Sequence, residues 1–225
     1  MHAGPAIRLH AESAGTLAQM MRDVDPPADD DLASWGTRQK ERRWLCRFLH
    51  SLPEREMFPV EVYHDDAPDF IVIPHANGQR IGIEVTELVS ENRRAVQQME
   101  RKRGHAFERH RAGDIDDLDL PADRQWGMHL DEILVKKTRG LGWSTAVDDS
   151  WLLIVDSWHR THLISQAELE AELEAFRVRY WAEYGNLFHR VYIDVSPGST
   201  SERILCDVRR DFVAQYDARD PWPGA

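Results

Sequence analysis

The apolar positions along this chain change period several times, and each change marks an element. Across residues 38–52 they recur every three to four residues. Trp44, Leu45, Phe48, Leu49 and Leu52 lie on one stripe, which predicts a helix with one buried face. Thr37 stands in the position of a cap and Pro53 marks the exit. The period then falls to two. Val60 and Val62 begin a first strand, residues 64–67 read as a turn, 69–73 as a second strand and 81–86 as a third. Asn77-Gly78 between apolar runs is a strong hairpin signal. Three strands with short connections form an antiparallel meander.

A long polar helix is expected over residues 90–111, followed by an acidic loop to Asp123 and a helix over 126–139 that stops before Gly140 and Gly142. Residues 151–157 are apolar almost throughout, as in a strand buried on both faces. Ser165 and Glu168 have the spacing of a capping box, opening a helix that reaches Tyr184 before Gly185. Residues 191–195 form a fifth strand, ended by Pro197-Gly198. Residues 1–33 read as a mobile N-terminal arm with a short helix near Leu17 to Met21. Residues 34–198 read as one domain and 199–225 as a C-terminal extension, with a short strand at 204–208. The order predicts an α/β fold, with a mixed central sheet (a three-strand antiparallel meander plus two further strands) flanked by helices.

Composition narrows the class. The chain has 225 residues, 42% hydrophobic and 30% charged, enough to bury a core without staples. Two cysteines, Cys46 and Cys206, exclude a disulfide framework and a four-cysteine zinc site; buried thiols in a reducing cytoplasm are the expectation, ahead of a single bridge. The longest aliphatic-aromatic run is five residues, Trp151 to Val155, against the 20 or so that a membrane helix needs. A cytoplasmic protein with no membrane association is therefore expected.

The net charge of −11 argues against a nucleic-acid partner until its distribution is considered. Residues 23–31 and 114–123 each hold five aspartates and no base, and so carry nearly all of the excess. Residues 93–111 hold seven Arg and Lys against two Glu. Such polarisation leaves room for a basic face toward phosphates, or for a merely solvated helix face. Trp143 and Trp158, near expected loop ends, are the tryptophans placed to stack on bases.

The stretch with most chemistry is PDFIVIPHANGQRIGIEVTE, residues 68–87. Strand alternation puts Ile81, Ile83 and Val85 on one face and Gly82, Glu84 and Thr86 on the other. Asp69 opens the neighbouring strand, so its carboxylate and that of Glu84 can converge, as a hard divalent cation requires. Singly, each has a plain alternative: a turn-forming Asp and a solvated strand Glu. Two helices carry anomalies of their own. Lys137 falls on the stripe of Leu130, Ile133, Leu134 and Leu141, where a lysine either snorkels or meets an anion; Lys136 beside it points to another face. Glu41 falls one turn back on the stripe of the first helix, where it either needs a cation or serves the helix dipole.

Pro68-Asp69 followed by Glu84-Val85-Thr86, with the surrounding order of elements over about residues 37–195, resembles the PD-(D/E)xK nuclease superfamily, the restriction-endonuclease-like fold. The resemblance implies phosphodiester hydrolysis of nucleic acid, DNA favoured over RNA, with Mg²⁺ or Mn²⁺ held by Asp69, Glu84 and Glu41. It departs from the pattern at Thr86, which occupies the place of the family's lysine. Either catalysis is lost and the fold is a module that binds nucleic acid or a protein partner, or an ammonium arrives from elsewhere, with Lys137 ahead of Lys136. Asp69, Glu84, Lys137 and Thr86 are then the candidate catalytic set. Arg93, Arg94, Arg101, Lys102 and Arg103 are the candidate phosphate contacts.

Overall fold

A computed structural model describes residues 7–24, 35–64, 68–88, 122–138, 147–156, 163–184, 188–195, 203–207 and 212–216. Eight strands form one mixed sheet in sequential order: β1 (Ile7–Ala11), β2 (Val60–His64), β3 (Phe70–Pro74), β4 (Ile81–Leu88), β5 (Asp149–Asp156), β6 (Arg190–Val195), β7 (Arg203–Asp207) and β8 (Phe212–Tyr216). β1 to β4 pair antiparallel, β4, β5 and β6 pair parallel, and β6 to β8 pair antiparallel again. The expected α/β class, the meander β2–β4 and the two further strands β5 and β6 are all present.

The helices are α1 (Ala14–Val24), α2 (Thr37–Ser51), the short α3 (Glu54–Met57), α4 (Ala122–Thr138) and α5 (Gln166–Tyr184). They divide between the faces of the sheet. Leu17 and Met21 of α1 and Leu45, Phe48 and Leu49 of α2 pack with Val60, Val62, Phe70, Val72, Ile83 and Val85 in one apolar core. Trp126, Leu130 and Leu134 of α4 and Leu169, Phe176 and Tyr180 of α5 pack with Leu152, Ile154, Val191 and Ile193 in another. Parallel neighbours need crossovers, and two successive crossovers of one hand deliver their helices to one face. That is why α4 and α5 lie together, and why β5, covered on both sides, is buried along nearly its whole length.

Local signals explain the boundaries. Gly78 has a φ of 64°, and its N–H donates to the Pro74 carbonyl at 2.8 Å, while Asn77 Oδ1 accepts from the Gln79 N–H at 3.0 Å. The Asn-Gly signal is thus a real turn. Ser165 and Glu168 form the expected box, with Ser165 N–H donating to Glu168 Oε2 at 2.8 Å and Ser165 Oγ accepting from the Glu168 N–H at 3.4 Å. α2 differs from expectation. Gly36, not Thr37, is its cap, and Gln39 Oε1 accepts the Gly36 N–H at 2.9 Å.

Three further expectations are corrected. Within the supposed arm, β1 and α1 belong to the sheet and its core, because Ile7, Leu9 and Ala11 alternate toward α1 while Arg8 and His10 face outward. His64 ends β2 and is not a turn residue. The supposed C-terminal extension supplies β7 and β8, which continue the sheet. Among the described residues, no helix is long and apolar enough to cross a membrane.

α4 approaches α5 closely at Gly127, where an added Cβ would meet Glu172 Oε2 at 2.5 Å. Glu172 is buried and paired with Arg124 at 3.2 Å, so it has little room to withdraw. Gly127→Ala should therefore lose about 1 kcal/mol, overpacking outweighing the better helix propensity of alanine. A denaturant midpoint equal to or above wild type would contradict this.

Candidate active site

The site begins where two strands part. β3 pairs with β4 only as far as Phe70 opposite Ile83, whereas β4 runs on to Leu88 beside β5 alone. Asp69, one residue before β3, takes over the lost ladder: its Oδ2 accepts the Val85 N–H at 2.8 Å. The carboxylate is thereby held over the opened edge of β4, next to the start of the Glu84 side chain.

Glu84 projects from the face of β4 opposite to Ile83 and Val85, toward α4, as strand alternation requires. There Lys137 Nζ donates to Glu84 Oε1 at 2.5 Å. The inward lysine of the α4 stripe therefore has an anionic partner instead of snorkelling, whereas Lys136 is exposed. Thr86 is buried two residues further along the same face of β4.

Glu41 reaches the same place from the other layer. It lies past the first turn of α2, which contains no acid, so the helix dipole does not account for it. It is largely buried and feels the charges of Asp69, Lys137 and Glu84. Burial, and next the negative charge of Asp69, push the Glu41 carboxyl up to about 8; Lys137 and Arg38 act in the opposite sense. Burial, and next Glu84, push Asp69 up to about 6, against the pull of the Val85 N–H, Lys137 and Arg38. Three acids from β4, α2 and the head of β3 thus share one electrostatic environment with one ammonium from α4.

Two neighbours were not legible as site residues. His64 is buried at the end of β2, stacked on Phe70 with ring centroids 4.4 Å apart. Its Nδ1 accepts from Arg42 Nε at 3.2 Å, which leaves Nε2 as the protonated nitrogen of the neutral ring, 3.9 Å from Glu41 Oε2. Arg38, one turn before Glu41, adds positive charge to both Glu41 and Asp69. The signal for His64 was present, since it continues the Val60, Val62 alternation. Arg38 had no such signal: basic residues at Arg38, Lys40, Arg42 and Arg43 surround Glu41 on all sides of the helix.

Arg93, Arg94, Arg101, Lys102 and Arg103 lie outside the described residues, as do Trp143 and Trp158. A different cluster, Asp149, Ser150 and His189, has the residue types of a nucleophilic triad but not its geometry. Asp149 Oδ1 and Ser150 Oγ both meet His189 Nδ1, at 3.0 and 3.1 Å, whereas a relay needs them on opposite ring nitrogens. This cluster ties the start of β5 to the approach to β6.

The shifted carboxyls give a test on the protein alone. A carboxyl whose folded pKa lies above its unfolded one stabilises the fold fully below the unfolded value, and that contribution is lost as pH rises through the folded one. For Glu41 the window runs from 4.5 to about 8. In chelator-treated protein, Glu41→Gln should match wild type near pH 5 and exceed it by about 2 kcal/mol at pH 8.5, or roughly 4–8 °C in melting temperature. Parallel pH profiles for the two proteins would show that Glu41 carries no such penalty.

No family model matches this chain, and neither a curated protein nor a solved structure matches it.

Proposed function

We propose that this protein hydrolyses phosphodiester bonds in nucleic acid with the help of a divalent metal, as a nuclease of the PD-(D/E)xK type with its lysine supplied by α4. One arrangement supports the reading: Lys137 bonds Glu84, the Val85 N–H holds Asp69 beside it, and Glu41 is electrostatically coupled to all three where β3 leaves β4. Acids crowded and buried in this way repel one another, and a bound cation relieves that repulsion. The donors are carboxylate oxygens, with no thiolate among them, which suits Mg²⁺ or Mn²⁺.

Asp69, Glu84 and Glu41 are the residues that would hold the metal. When bound, the metal lowers the pKa of a coordinated water and polarises the phosphate. The chain's own residues do the rest. The Val85 N–H fixes the Asp69 carboxylate in place. Lys137, freed from part of its pairing with Glu84, offers its ammonium to the attacking water or to charge developing on phosphate oxygen. Thr86 leaves the usual lysine position neutral, which is why the α4 ammonium is needed.

The test is cleavage of single- and double-stranded DNA and of RNA in Mg²⁺ or Mn²⁺, with and without chelator, by wild type and Glu84→Ala. Metal-dependent cleavage lost in the variant supports the reading. Equal activity in both proteins, or activity indifferent to chelation, overturns it. Metal-independent binding without cleavage would favour the inactive binding module that Thr86 suggests.

A further inference from the structure

The outer face of β1 and β2 bears a group of side chains of the types that ligate metals, away from the acids. His10 and Glu61 are directly opposed across the β1–β2 pairing, and His75 lies just past the end of β3. One ligand atom from each of the three lies within 4.8 Å of those of the other two. We propose that His10, Glu61 and His75 form a binding site for a borderline divalent transition metal of the zinc class.

The backbone fixes the arrangement. The antiparallel register brings His10 and Glu61 together, and the His75 N–H donates to the Pro59 carbonyl at 2.9 Å, anchoring the turn that presents its ring. The two imidazoles lie with centroids 4.8 Å apart, and His75 Nε2 is 3.7 Å from Glu61 Oε1. The other carboxylate oxygen, Glu61 Oε2, accepts from Tyr63 Oη at 2.7 Å and Arg8 at 3.0 Å, an outer layer of the kind that orients a ligating carboxylate. Glu12 stands beside the group, its Oε1 3.0 Å from His10 Nε2. Ligands about 2.0–2.2 Å from zinc sit roughly 3.5 Å from one another, so closure asks for movements of about 1 Å, within reach of exposed side chains. Two imidazoles and a carboxylate leave one position for water or Glu12, and they suit zinc better than magnesium. By strand register the group lies on the order of 15 Å from Glu84. It therefore stands or falls independently of the nuclease reading.

The experiment is calorimetric titration of chelator-treated protein with Zn²⁺, with Co²⁺ absorption as a report on coordination. In a Glu84→Ala background, which disables the acid cluster, one site per chain is expected, weakened at least tenfold by His10→Ala or His75→Ala and lost when both histidines are replaced. His189→Ala should leave it within twofold. A second measurement needs no variant: Zn²⁺ should protect His10 and His75 of wild type from diethylpyrocarbonate, read by mass spectrometry. Unchanged Zn²⁺ affinity when both histidines are replaced, or no protection at these two histidines, overturns the proposal.

Discussion

Glu84→Ala is expected to reduce metal-dependent cleavage at least a thousandfold, and Lys137→Ala roughly a hundred- to a thousandfold, the range seen when a group that stabilises transition-state charge is removed. The two residues are joined by one ion pair. They should therefore behave as a unit, with the double variant little worse than Glu84→Ala alone. Lys136→Ala is the control. It removes the neighbouring lysine, which is exposed, and should leave the rate within twofold. Because the Lys137–Glu84 pair is partly solvent-exposed, breaking it should cost no more than about 1 kcal/mol of stability, so the lost activity would not reflect unfolding. The decisive result is the contrast between adjacent lysines. Equal losses at 136 and 137 would point to a diffuse charge effect and remove the case for a borrowed ammonium.

Asp194→Ala should cost about 3–5 kcal/mol of folding stability, for a reason unconnected with chemistry at the acids. Asp194 lies on β6, 2% exposed, and accepts from Arg47 of α2 at 2.6 Å; the guanidinium side chain is itself 11% exposed. Removing the carboxylate leaves a buried cation without its counter-charge, the situation in which a buried pair is expensive to break. The pair itself need not be strongly stabilising, since both charges were taken out of water to form it. Replacing both together, Arg47→Met with Asp194→Leu, should accordingly recover most of the loss. Denaturant unfolding gives the measurement, through a lower midpoint with an unchanged slope for the single variant. A single variant within 1 kcal/mol of wild type would mean that water or another acceptor already serves Arg47.

Much of this architecture was legible because local patterns agreed with the tertiary outcome. The Asn77-Gly78 turn, the Ser165–Glu168 box and the apolar run of β5 each encode their element within a few residues. Lys137 and Glu41 were legible for the opposite reason: each breaks an apolar stripe, and each proves to face the acid cluster. β1 was missed because five residues, IRLHA, alternate too briefly to stand out from an Ala- and Asp-rich stretch. Its pairing with β2 joins residues about fifty positions apart, which no local window contains. Gly36 takes the cap position in place of Thr37, and the Gln39 side chain reaches back to accept the Gly36 N–H. The Asp-Asp-Ala that follows His64 makes it read as a turn residue, although its phase matches Val60 and Val62.

The sheet's linear strand order also fixes a sequence of events during synthesis. Glu41, Asp69 and Glu84 all belong to the stretch that supplies β1 to β4 and the first two helices, whose strand pairings are antiparallel. Lys137 emerges more than fifty residues after Glu84, and the β4–β5 pairing spans a connection of similar length. On a ribosome the nascent chain thus presents three mutually repelling acids well before their ammonium exists. During that interval the growing polypeptide is most open to protons or dissolved cations as substitutes, and translation through α4 ends it.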